Sequence, residues 1–289
     1  MTLVVDLQAG ANGATPRPAT LGGGAKTVQT YLAGLAALSR RNTALTIEQL
    51  TRRHANRAAL YTPLPWQLPA MFVGAAILYA MLFVDVPVAA YRGQWPPGLR
   101  HSAGVLTDVG LGVWYILPAA LLAIATNLTD WSGRTRRQLL VLYNRAGLAV
   151  LVLIATGLSG LAAAILKRII GRARPNLFDE QGVFGFRAFA IDPAFASFPS
   201  GHATILGSVA ALLWLYFPRW RFITLPLLFL CANTRVIVSS HHPSDVIAGF
   251  GFGFVFAALT AMVFARLGYL FRAVDGRLPV VKRSARVFW

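Results

Sequence analysis

Residues 245–270 have the sequence DVIAGFGFGFVFAALTAMVFARLGYL, and this stretch decides the fold class because it is long and apolar enough to cross a lipid bilayer. A helix needs about 20 predominantly apolar residues to span the hydrocarbon core. Five similar stretches precede it. The sequence therefore predicts an all-α membrane protein with six transmembrane helices, placed at residues 66–90, 109–129, 145–167, 202–218, 221–240 and 245–270.

The composition supports this class. The chain is 56% hydrophobic and only 13% charged, whereas soluble domains carry about 25% charged residues. The formal net charge is +17, and such an excess often indicates nucleic-acid binding. In so apolar a chain, anionic lipid headgroups at the inner membrane face and a phosphate-bearing substrate explain the charge better than nucleic acid does.

Three parts are expected along the chain. Residues 1–62 form a cytoplasmic N-terminal segment, residues 63–272 the six-helix domain, and residues 273–289 a basic cytoplasmic tail. Within the first part, residues 9–25 are rich in Gly, Ala, Thr and Pro, which predicts disorder. Residues 27–60 mix leucines with arginines in an amphipathic helical pattern. Such a helix either lies on an anionic membrane surface or packs on the cytoplasmic ends of the other helices, and the pattern fits both.

The distribution of basic residues predicts the orientation. Lys and Arg are concentrated in the N-terminal segment, in the loops after the second and fourth spans, and in the C-terminal tail. Cytoplasmic segments carry such an excess, so both termini are expected in the cytoplasm. The loops between spans three and four and between spans five and six then lie at the outer face, which is periplasmic if the membrane is the inner membrane of a Gram-negative bacterium.

Three segments hold most of the unusual polar residues. They are residues 167–175 after the third span, residues 199–202 at the start of the fourth, and residues 234–245 between the fifth and sixth. Because both loops belong to the same membrane face, we expect the three segments to converge there. The candidate site residues are Lys167, Arg174, Ser200, Gly201, His202, Arg235, His241 and Asp245.

The cations of these segments suit a phosphate group. Arg235 offers a planar guanidinium that binds phosphate oxygens in pairs, and Lys167 acts as a point charge. Arg174 follows Lys167 by seven residues, so the two share a helix face if the helix continues that far. Pro175 is expected to stop that helix. Interfacial anchoring is the alternative role for a lysine at the end of a span.

The start of the fourth span adds uncharged donors. Gly201 allows close backbone approach, and Ser200 supplies a hydroxyl. The first amides of a helix lack intrahelical partners and favour an anion. Taken alone, Ser200-Gly201-His202 also fits an ordinary helix cap.

The histidines suit nucleophilic and acid–base chemistry. Asp245 follows His241 by four residues, so its carboxylate is expected to hold one ring nitrogen and leave the other free to attack phosphorus. His202 would protonate the departing oxygen and later deprotonate a water. His242 is interpreted as a solvated loop histidine, with a place in the site as the alternative.

At these residues the chain resembles the type 2 phosphatidic acid phosphatase (PAP2) family. The family motifs are Lys, six residues and Arg-Pro; then Pro-Ser-Gly-His; then Ser-Arg, five residues, His, three residues and Asp. Residues 167–175, 199–202 and 235–245 match them in order and spacing. Thr234 stands where the family commonly has Ser, and both carry a hydroxyl.

This resemblance covers residues 66–270 and implies six helices with the site at their outer ends. It implies hydrolysis of a phosphate monoester or diphosphate on a membrane lipid through a phosphohistidine, without a metal or other cofactor. Family substrates are phosphatidate, phosphatidylglycerophosphate, undecaprenyl diphosphate and lipid A phosphates. The implied roles are phosphate binding by Lys167, Arg174, Ser200, Gly201 and Arg235, acid catalysis by His202, nucleophilic attack by His241, and support of His241 by Asp245.

Alternative functions and local roles stay open. A phosphotransferase would replace water by an alcohol, a lipid transporter would carry ionisable residues near the bilayer midplane, and an inactive scaffold would lack a key residue. Asp108 is expected to support the site and Trp114 to serve packing. The loop at residues 176–198 forms either a lid for the lipid or ordinary interfacial packing, and its aromatic residues are Phe178, Phe184, Phe186, Phe189, Phe195 and Phe198.

Overall fold

The computed structural model describes residues 24–55 and 66–285. Residues 9–23 of the segment predicted to be disordered lie outside the described part. Gly24 and Ala25, the last two residues of that predicted segment, belong to a helix. In order, the elements are α1 Gly24–Ala55, α2 Gln67–Ala90, α3 Pro97–Thr107, α4 Val113–Asn127, α5 Arg136–Ile170, α6 Phe178–Gln181, α7 Gly201–Tyr216, α8 Arg221–Ile237, α9 Pro243–Arg266, β1 Phe271–Arg272 and β2 Val280–Val281.

Four helical segments within the described residues are long and apolar enough to cross a membrane. They are α2, the segment Pro97–Asn127 that contains α3 and α4, α5 and α9. Helix α7 is apolar but has only 16 residues, and α8 has 17. Many large apolar side chains point outward, among them Phe72 and Phe222. A helix bundle with an apolar outer surface is the arrangement that a lipid environment requires.

The second predicted span starts earlier in the structure than the sequence indicated. Helix α3 begins at Pro97, and a 3-10 turn at Asp108–Gly110 joins it to α4. Residues 97–108, which include the polar residues Arg100 and His101, lie outside the span predicted at 109–129. Proline at the first position of a helix is favourable, because the missing N–H has no partner there anyway.

Close packing of α7 against α9 forms the centre of the bundle. A Cβ atom on Gly207 would lie 2.0 Å from the carbonyl oxygen of Phe250, and one on Gly253 would lie 1.9 Å from that of Thr204. Ser208 Oγ donates a hydrogen bond to the Gly253 carbonyl across the contact (3.1 Å). Inside a membrane no hydrophobic effect drives helices together. Small residues stabilise the contact there because they let the two backbones approach closely. The contact fixes the N-termini of both helices beside each other.

The C-terminal segment departs from an all-α fold. Strands β1 and β2 pair antiparallel. Phe271 and Val281 are buried in one apolar cluster with Tyr143 near the start of α5. Tyr269 Oη donates to the Tyr143 carbonyl (2.8 Å). Part of the segment predicted as a basic cytoplasmic tail therefore packs on the bundle, because its apolar side chains fill the end of the helix core.

Helix α1 contacts the same end of the bundle. Asn42 is buried, and its Nδ2 donates to the carbonyl oxygens of Asn127 (2.7 Å) and Thr129 (2.9 Å) at the end of α4. Carbonyl groups at the C-terminal end of a helix lack intrahelical partners, and the Asn42 side chain supplies the hydrogen-bond donor here. This contact favours packing on the protein's own helix ends for the middle of α1.

We expect Gly207→Ala to destabilise the protein, because its methyl group would meet the Phe250 backbone of α9 and separate the two helices. Overpacking of this kind costs about 1–3 kcal/mol. The measurement is thermal unfolding of the purified protein in detergent. Gly74→Ala in α2 is the matched control, since no atom beyond its chain neighbours and the nearby backbone of its own helix lies within 4 Å of the position that its methyl group would take. Equal unfolding temperatures for the two variants would contradict the close contact.

Candidate active site

The three segments predicted from the sequence meet at one end of the bundle. Lys167 lies in the last turn of α5, Ser200 precedes α7, and Asp245 lies in the first turn of α9. A Cβ atom on Gly201 would lie 3.3 Å from Lys167 Nζ. The Ser200 amide donates to the Asp245 carbonyl oxygen (3.0 Å). All three segments are therefore in contact.

His202 is within electrostatic reach of the other charged side chains of the site. It is close enough to Arg235, His241, Lys167 and Arg174 for each of them to affect its ionisation. These residues come from four different parts of the chain, namely the last turn of α5, the segment after it, α8 and the loop before α9. All eight predicted site residues thus belong to one group.

A left-handed turn at Gly171 separates Lys167 from Arg174. Helix α5 ends at Ile170, and Gly171 has φ +64°, a left-handed conformation that favours glycine. A Cβ atom there would lie 1.7 Å from the carbonyl oxygen of Arg187. The helix therefore does not continue as far as Arg174, so the condition for a shared helix face is not met, and the helix ends before Gly171 rather than at Pro175 as predicted. The turn brings Arg174 to the site by a different route.

Several donors of this group are buried without a hydrogen-bond partner among the described residues. They are Arg174 Nε, Arg235 Nε and Ser200 Oγ. Arg235 Nη1 makes one long contact with Thr107 Oγ1 (3.4 Å). A buried donor without a partner is costly, so such groups in native proteins usually face a ligand or water. Ser200 is the N-cap of α7, and the charges of both arginines act on His202 in the first turn of that helix, so the arrangement suits an anion.

The turn after α3 supports the site from the side. A Cβ atom on Gly110 would lie 2.9 Å from the Cβ atom of His202, so the turn packs directly against this residue. The charge of Asp108 also acts on Arg235. Trp114 is 62% exposed, so it contributes less to packing inside the bundle than expected. Gly110 was not expected from the sequence, because an isolated glycine gives no sign of its neighbours.

His241 and Asp245 face each other as the spacing predicted, but not through a hydrogen bond. His241 Nδ1 lies 3.7 Å from Asp245 Oδ2, which is too long for a hydrogen bond. Both side chains are buried. Burial lowers the pKa of His241 to about 4, although Asp245 opposes this shift. The ring is therefore neutral at physiological pH and retains a nitrogen lone pair.

His242 is buried, with 1% of its surface exposed, so its interpretation as a solvated loop histidine is wrong. Burial lowers its pKa as well. It precedes Pro243 at the start of α9, and its backbone N–H donates to Asp245 Oδ2 (2.8 Å). His242 is buried because it is the N-cap residue of α9 and its amide binds Asp245. The sequence pattern of two histidines before a proline gives no sign of this burial.

Four buried residues near Asp245 were given no role by sequence reasoning. Asp85 offered the clearest signal, because an ionisable residue within an apolar span is costly and usually has a specific role. Arg172 lies inside the segment 167–175 but at a position that the family motif does not specify, and Ser197 and Ser244 gave no signal. The four are Asp85, Arg172, Ser197 and Ser244, and each is fully buried.

The phenylalanine-rich loop divides into two parts. Phe184, Phe186 and Phe189 are exposed. Phe178 lies under the guanidinium of Arg92, which also pairs with Asp179. The loop is therefore attached to the end of α2 while its exposed rings remain available to lipid, which is compatible with both a lid and ordinary interfacial packing.

We expect the His241 ring of the substrate-free protein to be neutral at pH 6, about half a unit below the ordinary histidine pKa of about 6.5. The reason is that burial lowers its pKa to about 4. Nitrogen-15 NMR of histidine-labelled protein in detergent measures the ring state, and His241→Ala assigns the signal. Half-protonation near pH 6 or above would contradict the buried environment.

Comparison with known proteins identifies relatives of the chain. The family model described as PAP2 superfamily matches residues 148–269. A Lipid A 1-phosphatase of Rhizobium johnstonii is 37% identical over 237 residues, covering 82% of this chain and 96% of that protein. A Lipid A 1-phosphatase of Rhizobium etli is 37% identical over 221 residues, covering 76% and 94%.

Among solved structures, the crystal structure of a transmembrane PAP2 type phosphatidylglycerolphosphate phosphatase from Bacillus subtilis is similar. It has 22% sequence identity and a TM-score of 0.43, and the match covers 71% of this chain and 96% of that one. The family motifs occupy residues 167–175, 199–202 and 235–245, and these three segments contact one another at the site. By its sequence relationship to the two Rhizobium proteins and its match to the family model, the chain belongs to the PAP2 superfamily.

Proposed function

We propose that this membrane-embedded lipid phosphatase removes the phosphate at the 1 position of lipid A, through a phosphohistidine formed on His241. The observation that carries the chemistry is a group of half-buried cations beside two histidines, whose buried Arg174 and Arg235 Nε atoms have no hydrogen-bond partner among the described residues. The choice of lipid rests on the two relatives named Lipid A 1-phosphatase, each 37% identical over most of its length.

In this proposal the phosphate binds between the positive charges and the start of α7. Lys167, Arg174 and Arg235 repel one another in the absence of an anion, and Asp245 is the acidic group that acts on Lys167 from within the site. A phosphate dianion would relieve this repulsion. Ser200 Oγ and the amides of Gly201 and the next residues would donate to its oxygens.

The first chemical step is attack on phosphorus by His241. Since Nδ1 faces Asp245, Nε2 would supply the lone pair that forms the P–N bond while the bond from phosphorus to the lipid oxygen breaks. His202 would donate a proton to that oxygen, which leaves as the lipid hydroxyl. Asp245 would stabilise the positive charge that develops on the His241 ring.

The second step returns the enzyme to its starting state. His202, now neutral, would accept a proton from a water molecule as the water oxygen attacks phosphorus. The P–N bond breaks, and its electron pair returns to His241. Inorganic phosphate, which now carries the oxygen of the water molecule, leaves the site. The proposed reaction uses no metal or other cofactor.

We also propose that α7 and α8 complete a set of six spans, with both termini in the cytoplasm and the site on the periplasmic face of the bacterial inner membrane. The support is the charge bias of the sequence and the position of α1 and the β-hairpin at the end of α5 remote from Lys167. Residues 1–62 would form the N-terminal segment and residues 63–272 the phosphatase domain.

Basic side chains at that inner end would bind anionic lipid headgroups. This attraction is worth about 1 kcal/mol per basic residue near the surface. The support is the exposure of several arginines near the loop between α4 and α5 and in the C-terminal segment, namely Arg134, Arg136, Arg137, Arg272 and Arg283.

We expect the purified protein to release phosphate fastest from lipid A that carries its phosphate only at the 1 position. Matched assays in detergent would use lipid A phosphorylated only at the other sugar, phosphatidate, phosphatidylglycerophosphate and undecaprenyl diphosphate at equal surface concentration. Release of inorganic phosphate without an acceptor alcohol separates hydrolysis from phosphotransfer. Faster turnover of any other lipid would contradict the proposed substrate.

We expect His241→Ala to abolish turnover, since the nucleophile is lost, and Asp245→Asn to lower kcat by several orders of magnitude, as loss of the carboxylate does in other His–carboxylate pairs. The measurement is phosphate release per folded protein. His101→Ala, which removes an exposed histidine of α3, is the control and should keep wild-type turnover. Wild-type-like activity of His241→Ala would refute the mechanism.

A further inference from the structure

A second charged cluster lies behind the proposed site and is fully separated from solvent. It consists of Asp85 on α2, Arg172 after α5, and Ser244 and Asp245 at the start of α9, each with 0% of its surface exposed. Only Asp245 has a role in the proposed mechanism. Buried charges are costly unless they are paired and fully hydrogen-bonded, so each charged atom of this cluster needs a partner.

Arg172 has a partner for every donor. Nη1 donates to Asp245 Oδ1 and to Ser244 Oγ (both 2.6 Å), and Nη2 donates to Asp85 Oδ2 (2.7 Å) and to the Val183 carbonyl (2.9 Å). Nε donates to the same carbonyl (3.1 Å). A guanidinium has five N–H groups, and all five are used. Arg172 therefore has no donor left for a substrate phosphate, unlike its neighbour Arg174.

Asp85 anchors Arg172 and also caps α9 from another helix. Its Oδ1 accepts from the Ser244 amide (3.0 Å), and its Oδ2 accepts from Ser244 Oγ (2.5 Å) as well as from Arg172. Ser244 is the second residue of α9, whose first amides have no intrahelical partner. A carboxylate suits this position because it complements the helix dipole.

Asp245 is consequently held from two sides. Arg172 binds Oδ1, while Ser197 Oγ (2.6 Å) and the His242 amide (2.8 Å) donate to Oδ2. The oxygen that faces His241 Nδ1 is this same Oδ2. The orientation of the carboxylate toward the ring therefore depends on the position of Arg172, which in turn depends on Asp85.

Sharing of one guanidinium by two carboxylates also sets the charge behind the ring. Arg172 and Asp245 alone would form a neutral pair. With Asp85 included, two carboxylates face one guanidinium, so the ionised cluster retains one negative charge near His241. This charge would favour the positive ring that forms when His241 bonds to phosphorus.

We propose that Asp85 and Arg172 are positioning residues of the reaction, which fix Asp245 against His241 and keep a net negative charge behind the ring. The proposal rests on the proposed roles of His241 and Asp245. It adds α2, which lies outside the matched residues 148–269, to the functional unit. It also separates Arg172, which acts through Asp245, from Arg174, which faces the phosphate.

The test is Asp85→Asn, assayed on the best lipid substrate with kcat and KM measured separately. The amide has similar shape, but one of its two ends must present N–H groups to a donor, either the Ser244 amide or Arg172. We expect kcat per folded protein to fall about tenfold to a hundredfold, as a small displacement of a catalytic group does. KM should change less than about threefold, because the phosphate-binding donors are untouched.

Asp179→Asn is the matched control. It removes an exposed carboxylate that pairs with Arg92 near the same end of α2, and such surface pairs contribute little. Its kcat should stay within about twofold of wild type. Size-exclusion chromatography and thermal unfolding give the folded fraction of each variant, so that a purely structural loss is separated from a change in turnover.

Ser244→Ala keeps the test decisive if Asp85→Asn does not fold. It removes the hydroxyl between Asp85 and Arg172 without changing the charge, and it should lower kcat about threefold to tenfold with KM again little changed. In a folded double variant the two losses should be less than additive, because both act through Arg172.

Two results would overturn the inference. One is wild-type kcat in a folded Asp85→Asn or Ser244→Ala variant, and the other is a loss confined to KM. Failure of the proposed function looks different, since it would appear as activity in His241→Ala. An inactive His241→Ala together with an unimpaired Asp85→Asn would leave the mechanism standing and remove only the role assigned to Asp85 and Arg172.

Discussion

The structure of the site depends on the buried ion pairs of Arg172 with Asp85 and Asp245. They join three parts of the chain that are far apart in sequence, namely α2, the turn after α5 and the start of α9. Removing one partner of a buried pair leaves an uncompensated charge and typically costs about 3–5 kcal/mol. In an apolar bundle, where few polar groups compete for partners, such a cluster has one favourable arrangement and therefore fixes the relative positions of the helix ends.

Around this cluster, hydrogen-bond satisfaction separates supporting groups from groups that face a ligand. Arg172 and Arg174 stand two residues apart in one motif, yet every donor of Arg172 is bonded within the protein, whereas Arg174 Nε has no partner among the described residues. Arg235 Nε and Ser200 Oγ share the second condition. The contrast distinguishes an arginine that organises the protein from the arginines proposed to bind phosphate.

The close contact of α7 with α9 provides the second constraint. Glycine residues bring the two backbones together, and the Ser200 amide then bonds the Asp245 carbonyl at the adjacent helix starts. Two helix N-termini meet at the same point, and their first amides attract negative charge. One start is capped by the carboxylates of Asp85 and Asp245, and the other is proposed to receive the substrate phosphate.

The sequence by itself determined the helical membrane class, and it indicated the approximate positions of most helices and the eight residues that are proposed for the site. Apolar runs of spanning length are local properties, and motif spacing records which residues act together. The contacts behind the site were decided only by tertiary structure: the role of Asp85, the full use of Arg172, the burial of His242 and the closeness of Gly110 to His202. Each depends on which distant segment packs against the residue, and no local pattern encodes the identity of that neighbour. The β-hairpin follows the same rule, since its residues became buried through contact with the start of α5.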